Sequence, residues 1–398
     1  MEKELYEQML NLPALKVAKV EFTDKTIRIN CYLETPSGQC PICLESVNTV
    51  KSYRTHTVRD LNISGREVYL ELRLKQFYCP SCDTYFTQSI PFADTNKSYT
   101  HRQAKWIFEM SVKQPLSEVA AISNMSNKTV ERIFYSFTLA DTFSRYEGVT
   151  HLGIDEFSWR KGKKDYLCIL TNLKTGDTVD ILRTRNKAVL IAHFQSIKLK
   201  NGADFCKQVQ IMSCDFWGPF LDIGASIFPN ADVVGDRFHW TTYINKVLDE
   251  ERKSNRKEFP KEDLYKNIKW LLFRQMDTLK ADELENLGKV FQLNPMMEEL
   301  YMLKNTFCAI FDMDICPKDA LIEIQDWVEY AQKVPNEFLG TFVAFFKRQI
   351  IPITNYFKHK VSNAVTEGNN NILRTVKRFT FNMTNFEHFK ARCFAFKV

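Results

Sequence analysis

No stretch of this 398-residue chain approaches the roughly 18 uncharged apolar residues that a bilayer span requires, so a membrane-crossing helix is not expected. A secretory leader is missing too, because the opening Met-Glu-Lys-Glu-Leu-Tyr-Glu-Gln is too acidic for one. Both absences point to the cytoplasm, where disulfides are rare. The eleven cysteines are therefore expected to be reduced, and those at short, regular spacing read as metal ligands. Strong net charge is lacking as well, at +6 overall. The excess sits in residues 353–398, which hold eight Lys and Arg against two Asp and Glu. A basic segment of that kind suits a phosphate backbone; the plainer reading is a solvated helix face.

What is present is an ordinary globular composition, 44% apolar and 26% charged. The length exceeds what one hydrophobic core organises, so several domains are expected. Residues 1–30 read as a short helix and a strand pair. Two Cys-x-x-Cys knuckles follow, Cys40-Pro-Ile-Cys43 and Cys79-Pro-Ser-Cys82, which supply the four thiolates of one tetrahedral structural Zn²⁺. Between them Val68, Leu70, Leu72 and Leu74 alternate with Tyr69, Glu71, Arg73 and Lys75, as on a half-buried strand. Cys31 and His56 read as bystanders to this site. The zinc ribbon is assigned to 31–95.

Residues 96–148 have the rhythm of a helix-turn-helix: Leu116 to Ile122, a turn at Ser123-Asn124-Met125, then a helix capped by Ser126. Val130, Ile133, Phe134 and Phe137 form its inner side, leaving Asn127, Lys128, Thr129 and Arg132 outward, where base edges are reached in such motifs. From His151 the period changes to strands, in the α/β order of three strands, helix, strand, helix, strand. The first, Leu152 to Asp155, ends in an acid before a basic turn at Arg160 to Lys164, and the fourth, Val209 to Cys214, ends in Asp215. The last strand ends in Asp236, with His239 three residues on. Trp217 and Trp240 beside these acids read as core or as stacking platforms. Residues 241–350 read as an all-helical insertion, with Trp270 and Trp327 in core stripes. In the final amphipathic helix Ile372, Leu373, Val376 and Phe379 face inward, and Glu367, Asn370, Asn371, Arg374 and Arg378 share another stripe.

The segments Gly153-Ile-Asp-Glu-Phe, Asp215-Phe-Trp-Gly-Pro, Phe228 to Trp240 and Thr366-Glu-Gly-Asn-Asn-Asn-Ile-Leu resemble signatures of DDE transposases from bacterial insertion sequences. The group resembled is the insertion-sequence L-three group, which begins with a zinc ribbon and a helix-turn-helix. The resemblance spans nearly the whole chain in the family's order. It implies a multidomain α/β protein with an RNase H-like catalytic domain, 149–240, interrupted by the insertion and completed by 351–398. It implies an acidic triad of Asp155, Asp215 and Glu367 holding Mg²⁺ or Mn²⁺. In-line displacement at a phosphodiester uses two such ions about 3.5–4 Å apart.

Glu156 adjoins Asp155 but should point to the other face of its strand. Asp236 is a rival for the second acid, and with His239 forms an Asp-x-x-His pattern read as active-site support. The implied activity is metal-dependent DNA cleavage and strand transfer at terminal inverted repeats, on double-stranded element and target DNA. Arg374, Lys377 and Arg378 would hold phosphates. Pairing two ends implies a homodimer or larger assembly, in the cytoplasm and associated with the nucleoid. A DNA-binding regulator without catalysis would need only the first 150 residues, and a metal-dependent nuclease would keep the triad without strand transfer.

Overall fold

The computed structural model describes residues 2–138, 143–160, 165–258, 262–381 and 383–396. They form two compact units, one of residues up to 140 together with those from 379 onward, the other of 141–378.

The first unit opens with α1 (Glu2–Leu10), β1 (Leu15–Phe22) and β2 (Thr26–Leu33), then the short β3 (Gly38–Gln39) and β4 (Ser46–Val47). The long hairpin strands β5 (Val50–Ile63) and β6 (Arg66–Cys79) follow, with β7 (Thr84–Thr87). These strands make one sheet of order β1-β2-β6-β5, with β7 on β6. Alternation in β6 comes out as expected: Val68, Leu70, Leu72 and Leu74 are buried against Leu15, Val17, Ile29, Leu33 and Val58. The domain boundary read at residue 30 falls inside β2, which pairs in parallel with β6 through Thr26↔Glu67 to Tyr32↔Arg73. The N-terminal strands and the hairpin between the knuckles therefore share one core, a pairing across some forty residues that local pattern does not reveal. Cys31 is buried in that core, as expected of a bystander, and His56 Nε2 lies 3.0 Å from the Lys97 carbonyl.

Three helices follow: α2 (His101–Lys113), α3 (Leu116–Ser123) and α4 (Asn127–Thr138). Asn124 closes α3 in the left-handed region at φ 50°, a conformation that Asn tolerates well. The Ser126 hydroxyl accepts from the Thr129 N–H at 3.2 Å at the start of α4. Val130, Ile133 and Phe134 are buried, whereas Phe137 is exposed and stacks on Phe108 at 4.9 Å.

The second unit begins with β8 (His151–Arg160), β9 (Asp165–Asn172) and β10 (Thr178–Leu182). Next come α5 (Lys187–Ser196), α6 (Phe205–Gln208), β11 (Ile211–Cys214), α7 (Gly218–Ile227) and β12 (Asp232–Gly235). Their sheet has the order β10-β9-β8-β11-β12. The β8–β9 and β9–β10 pairs are antiparallel, and β8–β11 and β11–β12 are parallel. β8 does not stop at Asp155 but continues to Arg160; of the basic turn, residues 161–164 lie outside the described residues. Leu152, Ile154, Leu170, Met212 and Cys214 pack with Leu190, Phe194, Phe220 and Ile223 from α5 and α7.

The helical insertion comprises α8 (Arg237–Ser254), α9 (Glu262–Phe273), α10 (Ala281–Leu293), α11 (Pro295–Asp312), α12 (Pro317–Lys333), α13 (Glu337–Lys347) and α14 (Ile350–His359). Pro295 and Pro317 sit at the first turns of α11 and α12, where the missing N–H costs nothing. Its core gathers Trp240, Leu300, Phe307, Trp327, Phe342 and Phe346. Trp327 is buried, with its Nε1 donating to the Leu303 carbonyl at 3.0 Å, but Trp270 is exposed and Leu272 is the buried member of that stripe.

Two helices complete the chain, α15 (Ala364–Phe379) and α16 (Phe386–Phe396). Segment 351–398, expected as one catalytic tail, divides here, because α16 belongs to the first unit and packs on α2 and α4. Its Arg392 is buried over the rings of Phe134 and Phe379, at 4.8 and 5.1 Å, and donates to the Gln114 carbonyl at 2.7 Å. No described helix is long and apolar enough to cross a membrane.

Candidate active site and metal centres

Register builds the acidic site. In the parallel pairs, Cys214 lies opposite Ile154 on one side and Gly235 on the other. One residue further along each strand stand Asp155, Asp215 and Asp236, three carboxylates in a single row across β8, β11 and β12. In-register parallel neighbours project to the same face of a sheet, so the row is a consequence of the pairing. Asp215 adjoins Asp155 directly and Asp236 is one strand further out. A carboxylate oxygen of Asp155, one of Asp215 and a ring nitrogen of His239 all lie within 4.8 Å of one another.

Each acid is held. Asp155 Oδ1 accepts from the Glu156 N–H at 2.7 Å, and Oδ2 from Asn370 Nδ2 at 2.6 Å. Asp215 Oδ1 accepts from the Trp217 N–H at 3.2 Å. Asp236 is buried; its Oδ1 accepts from the Asn363 N–H at 3.3 Å, and Oδ2 faces His239 Nε2 at 3.8 Å. Burial pushes the Asp155 carboxyl up to about 6, opposed by the Glu156 N–H and His239 and reinforced by Asp215 and Asp236. Asp215 is raised for the same first reason, with the Trp217 N–H and His239 opposing. Crowded, desolvated carboxylates of this kind are relieved by a cation.

Helix α15 closes the site from the far end of the sequence. A Cβ on Gly153 would come within 2.4 Å of Thr366 Oγ1 and 2.7 Å of Asn363 Oδ1, so only glycine lets this helix approach β8 so closely. Asn363 Nδ2 donates to the Ile154 carbonyl at 3.2 Å, and Asn369 Nδ2 to Thr171 Oγ1 at 3.1 Å. Asn370 Oδ1 is buried beside Asp155 and has no hydrogen-bond partner among the described residues, an oxygen available to a cation or its water. Two aspartates, an imidazole and this spare amide oxygen fit a divalent ion, with the oxygens suiting Mg²⁺ and the imidazole tolerated by Mn²⁺. Glu367 stands in the first turn of α15, one turn before Asn370, and is not in the group that converges within 4.8 Å.

The second centre is the cysteine cluster, in which the sulfurs of Cys40, Cys43, Cys79 and Cys82 converge within 4.8 Å. Cys43 and Cys79 are 3.7 Å apart at sulfur. That separation is far beyond a disulfide and matches the roughly 3.8 Å edge of a ZnS₄ tetrahedron with bonds of about 2.3 Å. Each knuckle ends on a left-handed residue, Leu44 at φ 62° and Asp83 at φ 46°. The Cys43 N–H pulls the Cys40 thiol down to about 7, assisted by the Ile42 N–H and opposed by burial. Against the Glu45 N–H, burial and the neighbouring thiols push Cys43 up to about 12, the split of thiols crowded where one cation would sit. The four thiols thus fit structural zinc.

A transposase family profile matches residues 152–393, more than half of the chain and all of the strands bearing the acids. This chain is an insertion-sequence L-three family transposase. A second profile, the zinc finger of transposase IS204/IS1001/IS1096/IS1165, matches residues 36–82 and so takes in all four cysteines. The transposase for insertion sequence element IS1001 of Bordetella parapertussis is 22% identical over 400 residues, covering 98% of this chain and 97% of that one. The transposase for element IS1557 of Mycobacterium tuberculosis is 21% identical over 351 residues, 81% of this chain and 77% of its own.

Elsewhere in the transposase, Glu156 pairs with Arg185 at 2.7 Å, and its charge helps to raise the Asp215 carboxyl. Arg185 in turn lies over Tyr166 at 3.9 Å and Trp217 at 5.4 Å. Trp240 is buried against Phe216 and is core. Asn127, Lys128 and Arg132 lie exposed on α4, with Thr129 at the capping turn. The basic residues of the tail differ in what they meet. Arg374 is exposed, but Lys358 pairs with Asp232 at 2.7 Å, Lys377 donates to the Ser158 carbonyl at 3.2 Å and Arg392 is buried. Asn363, just before α15, is a site residue that the sequence did not assign, whereas Asn370 lies on the polar stripe with Glu367. The signal for Asn370 is its place in a run of asparagines in an amphipathic helix, costly there unless the amides have partners.

Proposed function

We propose that this transposase binds the terminal inverted repeats of its own element, cuts the DNA at the element ends and joins the freed 3′-hydroxyl to target DNA. The reading is carried by the convergence of Asp155 and Asp215 from adjacent strands in a half-buried cluster. The sheet order supports an RNase H-like fold, and α3 and α4 around Asn124 support a helix-turn-helix. In this reading Asp155 and Asp215 hold the divalent ion. Glu367 completes the triad from the turn of α15 next to Asn370, on the same helix face. Bound Mg²⁺ or Mn²⁺ supplies Lewis-acid charge to the attacking and leaving oxygens of the phosphodiester.

Asp236 braces the second acid: it starts α8 and ties it to Asn363, and its carboxylate faces the His239 imidazole that leans into the cluster. Asn127, Lys128, Thr129 and Arg132 read base edges, while Arg374, Lys377 and Arg378 lie along phosphates. Two copies pair the two ends, on DNA in the nucleoid. The test is incubation of wild type and Asp155→Ala, Asp215→Ala, Asp236→Ala and Glu367→Gln with end-containing DNA and Mg²⁺ or Mn²⁺. Binding should survive in all five and cutting in wild type, with Asp155→Ala, Asp215→Ala and Glu367→Gln inactive. Binding without cutting by any protein identifies a regulator. Cutting without joining identifies a nuclease. An active Asp215→Ala beside an inactive Asp236→Ala moves the second acid to Asp236.

A further inference from the structure

The helical insertion carries a groove of about 590 Å³ that the catalytic reading leaves unused. Tyr243, Lys246 and Glu250 of α8 form one wall, and Phe338, Phe345 and Arg348 of α13 and its end form the other. Its wall on α8 continues the face that presents His239, because Tyr243 and Lys246 follow at helical intervals of four and seven. Tyr243 is over a third exposed and lies edge-on to Phe345 at 5.2 Å. The Tyr243 phenol is pushed up, first by burial and then by the charge of Asp215. Lys246 and Arg348 line the groove and have no acidic partner among the described residues. The one acid in the lining, Glu250, is already paired with Lys253 at 3.1 Å. Aromatic faces flanked by uncommitted cations form the surface that unpaired bases and their phosphates occupy.

We propose that this groove holds an unpaired DNA strand leading away from the phosphate bound at Asp155 and Asp215, with a base stacked on Tyr243 and phosphates on Lys246 and Arg348. This rests on the proposed position of the reacting phosphate. The test uses the full-length, zinc-loaded protein with no Mg²⁺ or Mn²⁺ added and a single-stranded thymidine oligonucleotide carrying 5-iododeoxyuridine. The expected photocrosslink maps to Tyr243 or Phe345. Tyr243→Ala should weaken single-strand affinity about tenfold, within the range of one base stack, and Tyr243→Phe should restore it. The double variant Lys246→Ala/Arg348→Ala should lower the slope of log affinity against log salt by about 1.4, for two phosphates on a single strand. Duplex binding should stay unchanged throughout.

Crosslinks confined to other segments, with Tyr243→Ala within twofold of wild type, overturn the proposal. So does a shift from dimer to monomer in Tyr243→Ala without loss of crosslinking, which assigns the groove to a segment of a second copy. Since no Mg²⁺ or Mn²⁺ is supplied for cleavage, a failed crosslink removes the groove alone. Cutting that survives Asp155→Ala and Asp215→Ala removes the catalytic assignment alone.

Discussion

Replacing Asp155 by Asn should stabilise the metal-free transposase while abolishing cleavage. Burial raises the Asp155 carboxyl from its ordinary 3.8 to about 6, so the folded state holds its proton more tightly than the unfolded chain does. The stability that protonation contributes is fully present below pH 3.8 and is lost as pH rises through about 6. At pH 7.5 the ionised carboxylate therefore costs about 3 kcal/mol, and at pH 5 about half of that. The substitution removes the charge and keeps the shape. The amide donor it introduces would face Asn370, whose buried Oδ1 has no partner among the described residues, and a flip of the Asn370 amide would satisfy both side chains. For a unit of this size the gain corresponds to a rise in Tm of roughly 5–10 °C at pH 7.5. Scanning calorimetry of zinc-loaded wild type and Asp155→Asn without added Mg²⁺ or Mn²⁺, at pH 5 and 7.5, measures it. The difference should halve at pH 5, and added Mg²⁺ should raise Tm in wild type only. A variant melting below wild type at pH 7.5, or a gain independent of pH, would refute the claim that these carboxylates are held together at a cost.

Zinc chelation should loosen the knuckles around 38–50 and 77–86 and leave the main sheet folded, since the cysteines pack with Val47, Phe77 and Phe86 apart from the sheet's own core; hydrogen exchange throughout β1 and β2 after chelation would contradict this. Gly153→Ala drives a methyl into Thr366 and Asn363 and should cost about 1–3 kcal/mol, with a larger loss of cleavage as α15 is displaced from Asp155; near-normal melting and activity would show that α15 does not brace the site. Arg392→Met keeps apolar contact with Phe134 and Phe379 but loses the bond to the Gln114 carbonyl. It should lower stability by about 1–2 kcal/mol and leave the salt dependence of DNA binding unchanged, whereas a shallower salt slope would make it a phosphate contact after all.

The features readable without a structure are those written at short range. Knuckle spacing identified the four sulfur ligands, because Cys-x-x-Cys turns aim both thiols the same way. Alternation identified the inner face of β6, and cap chemistry at Ser126 identified the start of α4. The sequence by itself therefore determined the ligand types, the alternating faces and the order of strands and helices.

Tertiary structure decided which distant positions meet. The neighbour of Asp155 is Asp215, with Asp236 one strand out, because parallel register is set by packing between strands some sixty residues apart. Closure by Asn363 and Asn370 depends on the room left at Gly153, and α16 returns to α2 and α4 through burial of Arg392. The same long-range contacts set what the basic residues of the tail meet, whereas composition alone presents a single charged surface. Periodicity carries local geometry. Register, close approach and the partners of buried charges arise only when remote segments exclude water together.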